Sequence, residues 1–286
     1  MNVDFTSFDA PITIGTVALT VANLDASLSF YEERLGLRLH ERQGNVAALG
    51  VGEADLLRLE ERRGARKALR ATGLYHFALL LPTRVDLALA LRHFAQSETV
   101  LSGMADHAVS EAIYLSDPDG HGIEIYRDRP RQEWQYPNGQ LKLTTEPFDV
   151  AGVFDELLGM ERAWAGLPPG TTMGHIHLHV AHIAPVETFY RDVIGLDLVT
   201  RYGDSATFMS SGGYHHHLGA NTWNGVDASP PPVDALGLQW FTLQVQPSLL
   251  PEIMMRLETA VIPTTPHDNG WLLHDPSGNP ILLTAH

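Results

Sequence analysis

Apolar and polar residues follow two alternating periods along this chain, and the two periods recur in a fixed order. Residues 14–21 form an apolar run of strand length, and residues 24–35 have apolar positions at helical spacing. Short strand-like stretches follow, at 37–42, 45–50 and 54–60. The same order, β-α-β-β-β, is predicted for four successive modules, at about 14–66, 73–130, 174–224 and 237–286.

Two sequence motifs show that the chain contains an internal duplication. The segment SLSFYEERLGL, which contains Tyr31, matches VETFYRDVIGL, in which Tyr190 stands 159 positions later. The segment SDPDGHGIEIY, which contains Asp117, resembles HDPSGNPILLT, in which Asp275 stands 158 positions later. Nearly equal offsets indicate that one half of the chain copies the other.

The duplication predicts two domains of two modules each. The N-terminal half spans 1–145 and the C-terminal half spans 146–286. The stretch from about 128 to 172, rich in Pro, Trp and Gly, is predicted to join the halves and to contain a short helix around 149–158.

Composition and charge narrow the range of functions. A net charge of -15, from 34 acidic and 19 basic residues, argues against nucleic acid and anionic membranes as partners, because both require a basic surface. The absence of cysteine excludes disulfides and thiolate ligands, so any metal must be held by His, Asp or Glu. Neither a leader sequence nor a run of about 18 apolar residues is found, and we expect a soluble cytoplasmic protein that acts on small molecules. The sequence also allows a homo-oligomer.

The repeated motifs resemble those of a known family. A βαβββ unit covers one face of its strands with a helix and leaves the other open, so two units must pair. The FY-x-x-x-x-GL helix ends, the DP-x-G turns and the four modules resemble the vicinal oxygen chelate superfamily, which includes glyoxalase I, bleomycin-resistance proteins and type I extradiol dioxygenases. LYHFALLLP, DPDGHGIEIYRDRP, GHIHLHV and YHHHLGANTW are similar to segments of bacterial catechol 2,3-dioxygenase-like proteins. The resemblance covers nearly the whole chain and implies an α+β fold in which four modules pair into two open barrel-like clefts.

The resemblance also indicates where metal ligands would lie, because in this superfamily they come from the first and last strands of modules. In the first strand of module three, alternation puts His175, His177 and His179 on the face opposite an apolar set. Module two has His76 in the matching strand and Glu124 in its last strand. The matching positions of modules one and four are occupied by residues that are poor ligands: Thr16, Trp240 and Leu282.

This comparison favours a single complete site, formed by modules two and three, and a second cleft without metal, formed by modules one and four. If consecutive modules paired instead, His76 and Glu124 would be separated from His175, and each cleft would hold an incomplete site. Two imidazoles and one carboxylate are the facial triad of non-haem iron(II), and manganese(II) would bind the same donors. Glu60 is a fallback ligand, although the charged residues after it are typical of a solvated strand end.

Residues for proton transfer and substrate binding follow from the same resemblance. Extradiol members of the family carry a histidine pair on the last strand of this module, and aligning YHHHL on that pattern selects His216 as the acid/base residue. Strand alternation would place His215 and His217 on the opposite face. Tyr114 stands where a tyrosine hydrogen-bonds the substrate, and His107 resembles a second pocket histidine. Asn221 and Trp223 are two further candidates for lining the cavity. In the alternative interpretation, all of these side chains are ordinary surface or core residues.

Three functions remain open at this stage. The leading one is an iron-dependent extradiol dioxygenase that cleaves a catechol-like aromatic diol with O2. The second is a glyoxalase-like isomerase or lyase, in which His215 or His217 completes a nickel or zinc site. The third is a non-catalytic protein that sequesters a drug; such a protein needs no triad, so His76, Glu124 and His175 count against it.

Overall fold

The computed structural model describes residues 10–286. These residues form two compact units. The first consists of the described part of Met1–Thr20 with Ala65–Tyr75 and Gly174–His286, and the second of Val21–Gly64 with His76–Met173. None of the helices formed by residues 10–286 combines the length and the apolar composition that a membrane crossing requires.

Modules one and two have the predicted order of elements. Module one contains β1 (Ile12–Val21), α1 (Leu24–Ser29), which continues as a π-helix over Phe30–Leu35, β2 (Arg38–Gln43), β3 (Val46–Val51) and β4 (Ala54–Glu61). Module two contains β5 (Gly73–Leu80), α2 (Arg84–Gln96), β6 (Leu101–Asp106), β7 (Ser110–Ser116) and β8 (Gly122–Asp128).

The second half repeats this order after a connecting segment, whose helix α3 spans Val150–Asp155 within the predicted range. Module three contains β9 (Thr172–His179), α4 (Ile183–Thr188), which continues as a π-helix over Phe189–Ile194, β10 (Asp197–Tyr202), β11 (Ala206–Ser210) and β12 (Leu218–Asn221). Module four contains β13 (Gly237–Val245), α5 (Leu250–Thr259), β14 (Thr265–His267), β15 (Gly270–His274) and β16 (Pro280–Ala285).

The strands of residues 10–286 form two eight-stranded sheets. One has the order β14-β15-β16-β13-β1-β4-β3-β2, and the other has the order β10-β11-β12-β9-β5-β8-β7-β6. Modules one and four therefore supply one sheet and modules two and three the other, as the comparison of modules predicts. The predicted α+β fold of four paired βαβββ modules is confirmed.

The repeated GL dipeptide marks the end of each π-helix. Gly36 has a φ of 85° and Gly195 a φ of 100°, a left-handed conformation that terminates helices and that side chains rarely adopt. At Gly36 a side chain is also excluded by space, since a Cβ atom would lie 2.7 Å from Gly166 and from the indole of Trp164.

The two repeated motifs contact each other. The hydroxyl of Tyr31 donates to Oδ2 of Asp117 at 2.9 Å, and the hydroxyl of Tyr190 donates to Oδ2 of Asp275 at 3.3 Å. All four side chains are buried. Each bond joins the helix of one module to the Asp-Pro turn of the next, so the Phe-Tyr pair and the turn recur together in both halves.

The histidine triplet does not belong to a strand. β12 begins at Leu218, and the residues just before it form a turn in which Gly212 and Gly213 have φ values of 64° and 69°. The prediction that the last strand of module three runs through YHHHL is wrong, because two consecutive left-handed glycines bend the chain immediately ahead of the triplet. Strand alternation therefore does not apply to residues 215–217.

Candidate metal centre

His76 and Glu124 form a buried pair in the second unit. β5 and β8 are parallel neighbours, with Ala78 opposite Glu124, and His76 lies on the same face of β5 as Ala78. Nε2 of His76 is 3.0 Å from Oε2 of Glu124, and the two residues are 7% and 3% exposed. The predicted ligands of module two thus meet across adjacent strands.

Tyr114 and His107 lie beside this pair. Tyr114 is the register partner of Glu124 on β7, and its ring centroid is 5.8 Å from that of His76. Nε2 of His107 is 2.7 Å from the Tyr114 hydroxyl, and Nδ1 of His107 is 2.6 Å from the carbonyl oxygen of Thr144. A carbonyl oxygen only accepts, so Nδ1 carries the hydrogen, and in a neutral imidazole Nε2 then accepts the hydrogen of Tyr114. The contribution of Thr144 was not predicted, since nothing in the local sequence marks its carbonyl group.

His175 is the centre of a histidine cluster in the first unit. It is 1% exposed on β9, and its ring centroid lies 4.2 Å from that of His216 and 6.2 Å from that of His215. Nδ1 of His215 and Nδ1 of His216 are 2.8 Å apart. The expectation that His215 points away from His216 is wrong, because the turn brings both rings to His175. Nδ1 of His217 instead accepts the backbone N–H of Ser211 at 3.1 Å.

Asn221 organises the two other histidines of β9. Its Nδ2 donates to Nε2 of His177 at 3.0 Å, and its Oδ1 accepts from Nδ1 of His179 at 2.8 Å. The same Oδ1 accepts the backbone N–H of Trp223 at 3.0 Å. Asn221 is fully buried, whereas Trp223 is 50% exposed and so is not a core residue.

The donor atoms of His76, Glu124 and His175 lie within 4.8 Å of one another, and all three residues are buried. Among residues 10–286, no fourth His, Asp or Glu belongs to this group. Two imidazoles and one carboxylate at this spacing suit a divalent ion with nitrogen and oxygen ligands at about 2.0–2.2 Å. The fallback ligand Glu60 is not in the group; its Oε1 lies 3.9 Å from Nη2 of Arg62.

A buried ionic cluster holds β7, which carries Tyr114, against the start of α2. Glu111 is fully buried and accepts hydrogen bonds from Nε of Arg84 at 2.9 Å and from Nε of Arg127 at 2.6 Å. Burial alone would raise the pKa of Glu111, but the hydrogen bond from Arg84 and the charge of Arg127 hold that pKa below its usual value. Glu111 therefore stays ionised and fixes the strand beside the candidate site.

Comparisons with known proteins agree with this architecture. The sequence model of the Glyoxalase/Bleomycin resistance protein/Dioxygenase superfamily matches residues 13–125. The protein named Catechol-2,3-dioxygenase of Bacillus subtilis (strain 168) is 45% identical over 243 residues, which are 83% of this chain and 84% of that protein.

Solved structures show the same fold at low sequence identity. A protein of Bacillus subtilis subsp. subtilis str. 168 aligns with a TM-score of 0.66 at 13% identity, over 96% of this chain and 84% of that one. Glyoxalase I from Zea mays aligns with a TM-score of 0.60 at 13% identity, over 98% of this chain and 94% of that one. The 45% identity over most of both sequences, with the match of the superfamily model to residues 13–125, shows that the chain belongs to the glyoxalase/bleomycin resistance protein/dioxygenase superfamily.

Proposed function

We propose that this protein is a metal-dependent extradiol dioxygenase that cleaves a catechol-like aromatic diol with O2. The observation that carries the proposal is the buried donor set of His76, Glu124 and His175, whose donor atoms lie within 4.8 Å of one another. The relative named Catechol-2,3-dioxygenase, at 45% identity, supports the same reaction class. A drug-sequestering protein would have no use for such a donor set.

The three residues would hold iron(II), with manganese(II) as the alternative that accepts the same donors. When bound, such an ion supplies Lewis acidity and open coordination positions for the two vicinal oxygens of a diol. A nickel or zinc isomerase site with four protein ligands is less well supported, because no fourth ligand belongs to the group among the described residues.

His216 is proposed to carry the proton that the reaction moves. Extradiol cleavage breaks the ring bond beside the diol and places both atoms of O2 in the product, so no external reductant is needed. One hydroxyl of the diol must lose a proton, and a proton must later be returned. The ring of His216 lies beside that of His175 and is oriented by the 2.8 Å contact with His215, so His216 is suited to hold this proton.

Tyr114 and His107 are proposed to orient the diol. Since Tyr114 donates its hydrogen to His107, its oxygen presents lone pairs to a substrate hydroxyl as an acceptor. The carbonyl of Thr144 maintains this polarity by fixing the hydrogen on Nδ1 of His107. His107 therefore acts through Tyr114 and is a positioning residue.

The test is anaerobic reconstitution with iron(II), followed by catechol and air-saturated buffer. We expect the yellow ring-opened product and about one iron per chain. His175→Ala should lose both the metal and the product, whereas His216→Ala should keep the metal and lose turnover. Glu60→Gln is the matched control, since it removes a carboxylate outside the donor group.

Two results would contradict the proposal. One is the absence of product from catechol and the methylcatechols in a protein that holds one iron per chain. The other is nickel or zinc as the metal of the purified protein, together with isomerase activity.

A further inference from the structure

A continuous series of rings in the first unit leads away from His175. Centroid distances between successive rings are 4.2 Å from His175 to His216, 5.2 Å from His216 to Phe208, 5.6 Å from Phe208 to His177 and 5.6 Å from His177 to Trp223. We call these five side chains, with Tyr75, the aromatic wall. The aromatic wall therefore connects the proposed metal ligand His175 to Trp223.

The outer end of the wall reaches solvent. Trp223 is 50% exposed and Tyr75 is 39% exposed, and their ring centroids are 5.3 Å apart in an edge-to-face arrangement. Tyr75 also contacts His177 edge to face at 5.1 Å. Two large aromatic rings are thus presented to solvent side by side, next to a histidine that faces the same way as His175.

The wall is held in place by hydrogen bonds and close packing. His177 is two residues from His175 on β9 and therefore lies on the same face, about 7 Å further along the strand. Asn221 binds Nε2 of His177, and a Cβ atom at position 219 would lie 2.9 Å from its ring, so glycine is needed there. Trp223 is anchored by its own backbone N–H to Asn221.

The aromatic wall is suited to contact an apolar group, and it is longer than contact with unsubstituted catechol requires. Aromatic rings bind other rings by edge-to-face and offset stacking. Exposed rings that are already held in fixed positions contribute most to the binding free energy when a ligand covers them. The net charge of -15 disfavours an acidic substituent. We propose that the aromatic wall is a subsite for an aryl or other apolar substituent on the diol ring, which makes substituted catechols the preferred substrate class. This inference rests on the proposed function.

The first test compares catechol, 4-methylcatechol and 4-phenylcatechol as substrates of the iron-loaded protein. We expect kcat/KM to rise along this series, and Trp223→Ala to lower kcat/KM for 4-phenylcatechol about 5- to 10-fold while changing that for catechol less than about 2-fold. Tyr202→Ala is the matched control: Tyr202 is 71% exposed in the same unit but is not part of the wall. An equal effect of Trp223→Ala on all three substrates, or none on any, would overturn the subsite.

The second test separates this inference from the proposed function. Calorimetric titration of the protein with 4-phenylcatechol in the absence of oxygen measures binding without turnover. If no diol is cleaved but Trp223→Ala weakens the binding of 4-phenylcatechol and not that of catechol, the proposed reaction fails and the subsite stands. If catechol is cleaved and Trp223→Ala leaves both affinities unchanged, the reaction stands and the subsite is wrong.

Discussion

Tyr114 donates its hydroxyl hydrogen to Nε2 of His107 across 2.7 Å. The direction of this bond follows from the carbonyl of Thr144, which requires a hydrogen on Nδ1 of the same imidazole. A phenol that already donates to a protein group can only accept from a substrate hydroxyl. The bond thus decides which partner in the proposed diol complex carries the hydrogen.

Tyr114→Phe should keep the metal and lower kcat/KM for catechol about 10- to 100-fold, because a buried hydrogen bond to the substrate is lost. His107→Phe should cost less, about 5- to 20-fold, because Tyr114 remains but loses its fixed orientation. In the double variant the losses should not add, since His107 acts through Tyr114. Steady-state kinetics with iron analysis checks all three, and additive losses would contradict the coupling.

The three histidines of the triplet, at positions 215–217, are expected to differ in their effect on kcat. His216→Ala should reduce kcat by at least about 100-fold with the metal retained, as expected for loss of a proton carrier. His215→Ala removes the 2.8 Å contact that orients His216 and should reduce kcat by about 10-fold. His217, which binds the backbone of Ser211, serves as the control: His217→Gln should leave kcat within about 3-fold. Equal losses of kcat in the His215 and His217 variants would contradict the separate roles proposed for these two residues.

The sequence was sufficient to predict the fold and the grouping of His76, Glu124 and His175 as candidate ligands. Strand periodicity and the equal offsets of two motifs located all four modules, and the mismatch of Thr16 with His175 indicated which modules share a sheet. These features depend on local spacing, which a repeat preserves.

The surroundings of the site could not be predicted in the same way. The alternation rule assumed a strand through the triplet, but Gly212 and Gly213 bend the chain and bring His215 to His175. The carbonyl of Thr144 and the ring of Tyr75 reach their histidines through tertiary packing, which no local pattern records.

A buried Asp-His pair links stability to pH. Burial alone would raise the pKa of Asp117, but the hydrogen bond and charge of His121, at 2.7 Å, hold that pKa below its usual value. Stability from such a carboxylate is present above its unfolded pKa and is lost as pH falls through its folded pKa. His121→Asn should therefore lower the free energy of unfolding by about 1–2 kcal/mol at pH 7, with a difference that shrinks below about pH 4.

The second half of the chain supplies the reverse experiment. Burial raises the pKa of Asp275, where Asn279 stands in place of the histidine. A carboxyl group whose folded-state pKa is raised contributes less to the stability of the protein as pH rises. Replacing Asn279 with the histidine found in the first half, Asn279→His, should therefore raise the free energy of unfolding at pH 7. Urea unfolding at several pH values measures both variants, and shifts of the same sign would contradict the interpretation.

The ionic cluster on β7 predicts a large effect of Glu111 on stability. Glu111→Gln leaves Arg127, which is 7% exposed, without its charged partner and should cost about 3 kcal/mol or more. Glu187→Gln is the comparison in module three, because the guanidinium groups of Arg191 and Arg201 around Glu187 are 43% and 54% exposed and can be solvated. We expect a loss of about 1 kcal/mol or less there. Urea unfolding measures both variants. Similar losses in the free energy of unfolding would show that burial of the arginines does not determine the size of the loss.

The strongest test of the duplication is to rebuild a donor set in the sheet of modules one and four. β1, β13 and β16 are adjacent there, with Ala18 opposite Trp240 and Thr242 opposite Leu282. The substitutions are Thr16→His, Trp240→His and Leu282→Glu, which restore the donor types of modules three and two.

We expect this triple variant to bind about two iron(II) ions per chain instead of about one, by analogy with the original donor set. Leu282 is 5% exposed, so the new carboxylate should destabilise the metal-free variant, and added iron(II) should recover part of the loss. The double variant with the two histidines alone is the control: it avoids the buried carboxylate and should bind the second ion more weakly. Elemental analysis after gel filtration and thermal unfolding with and without iron measure both effects. A folded triple variant that still binds one ion would mean that matching positions in the repeat do not present side chains in matching geometry.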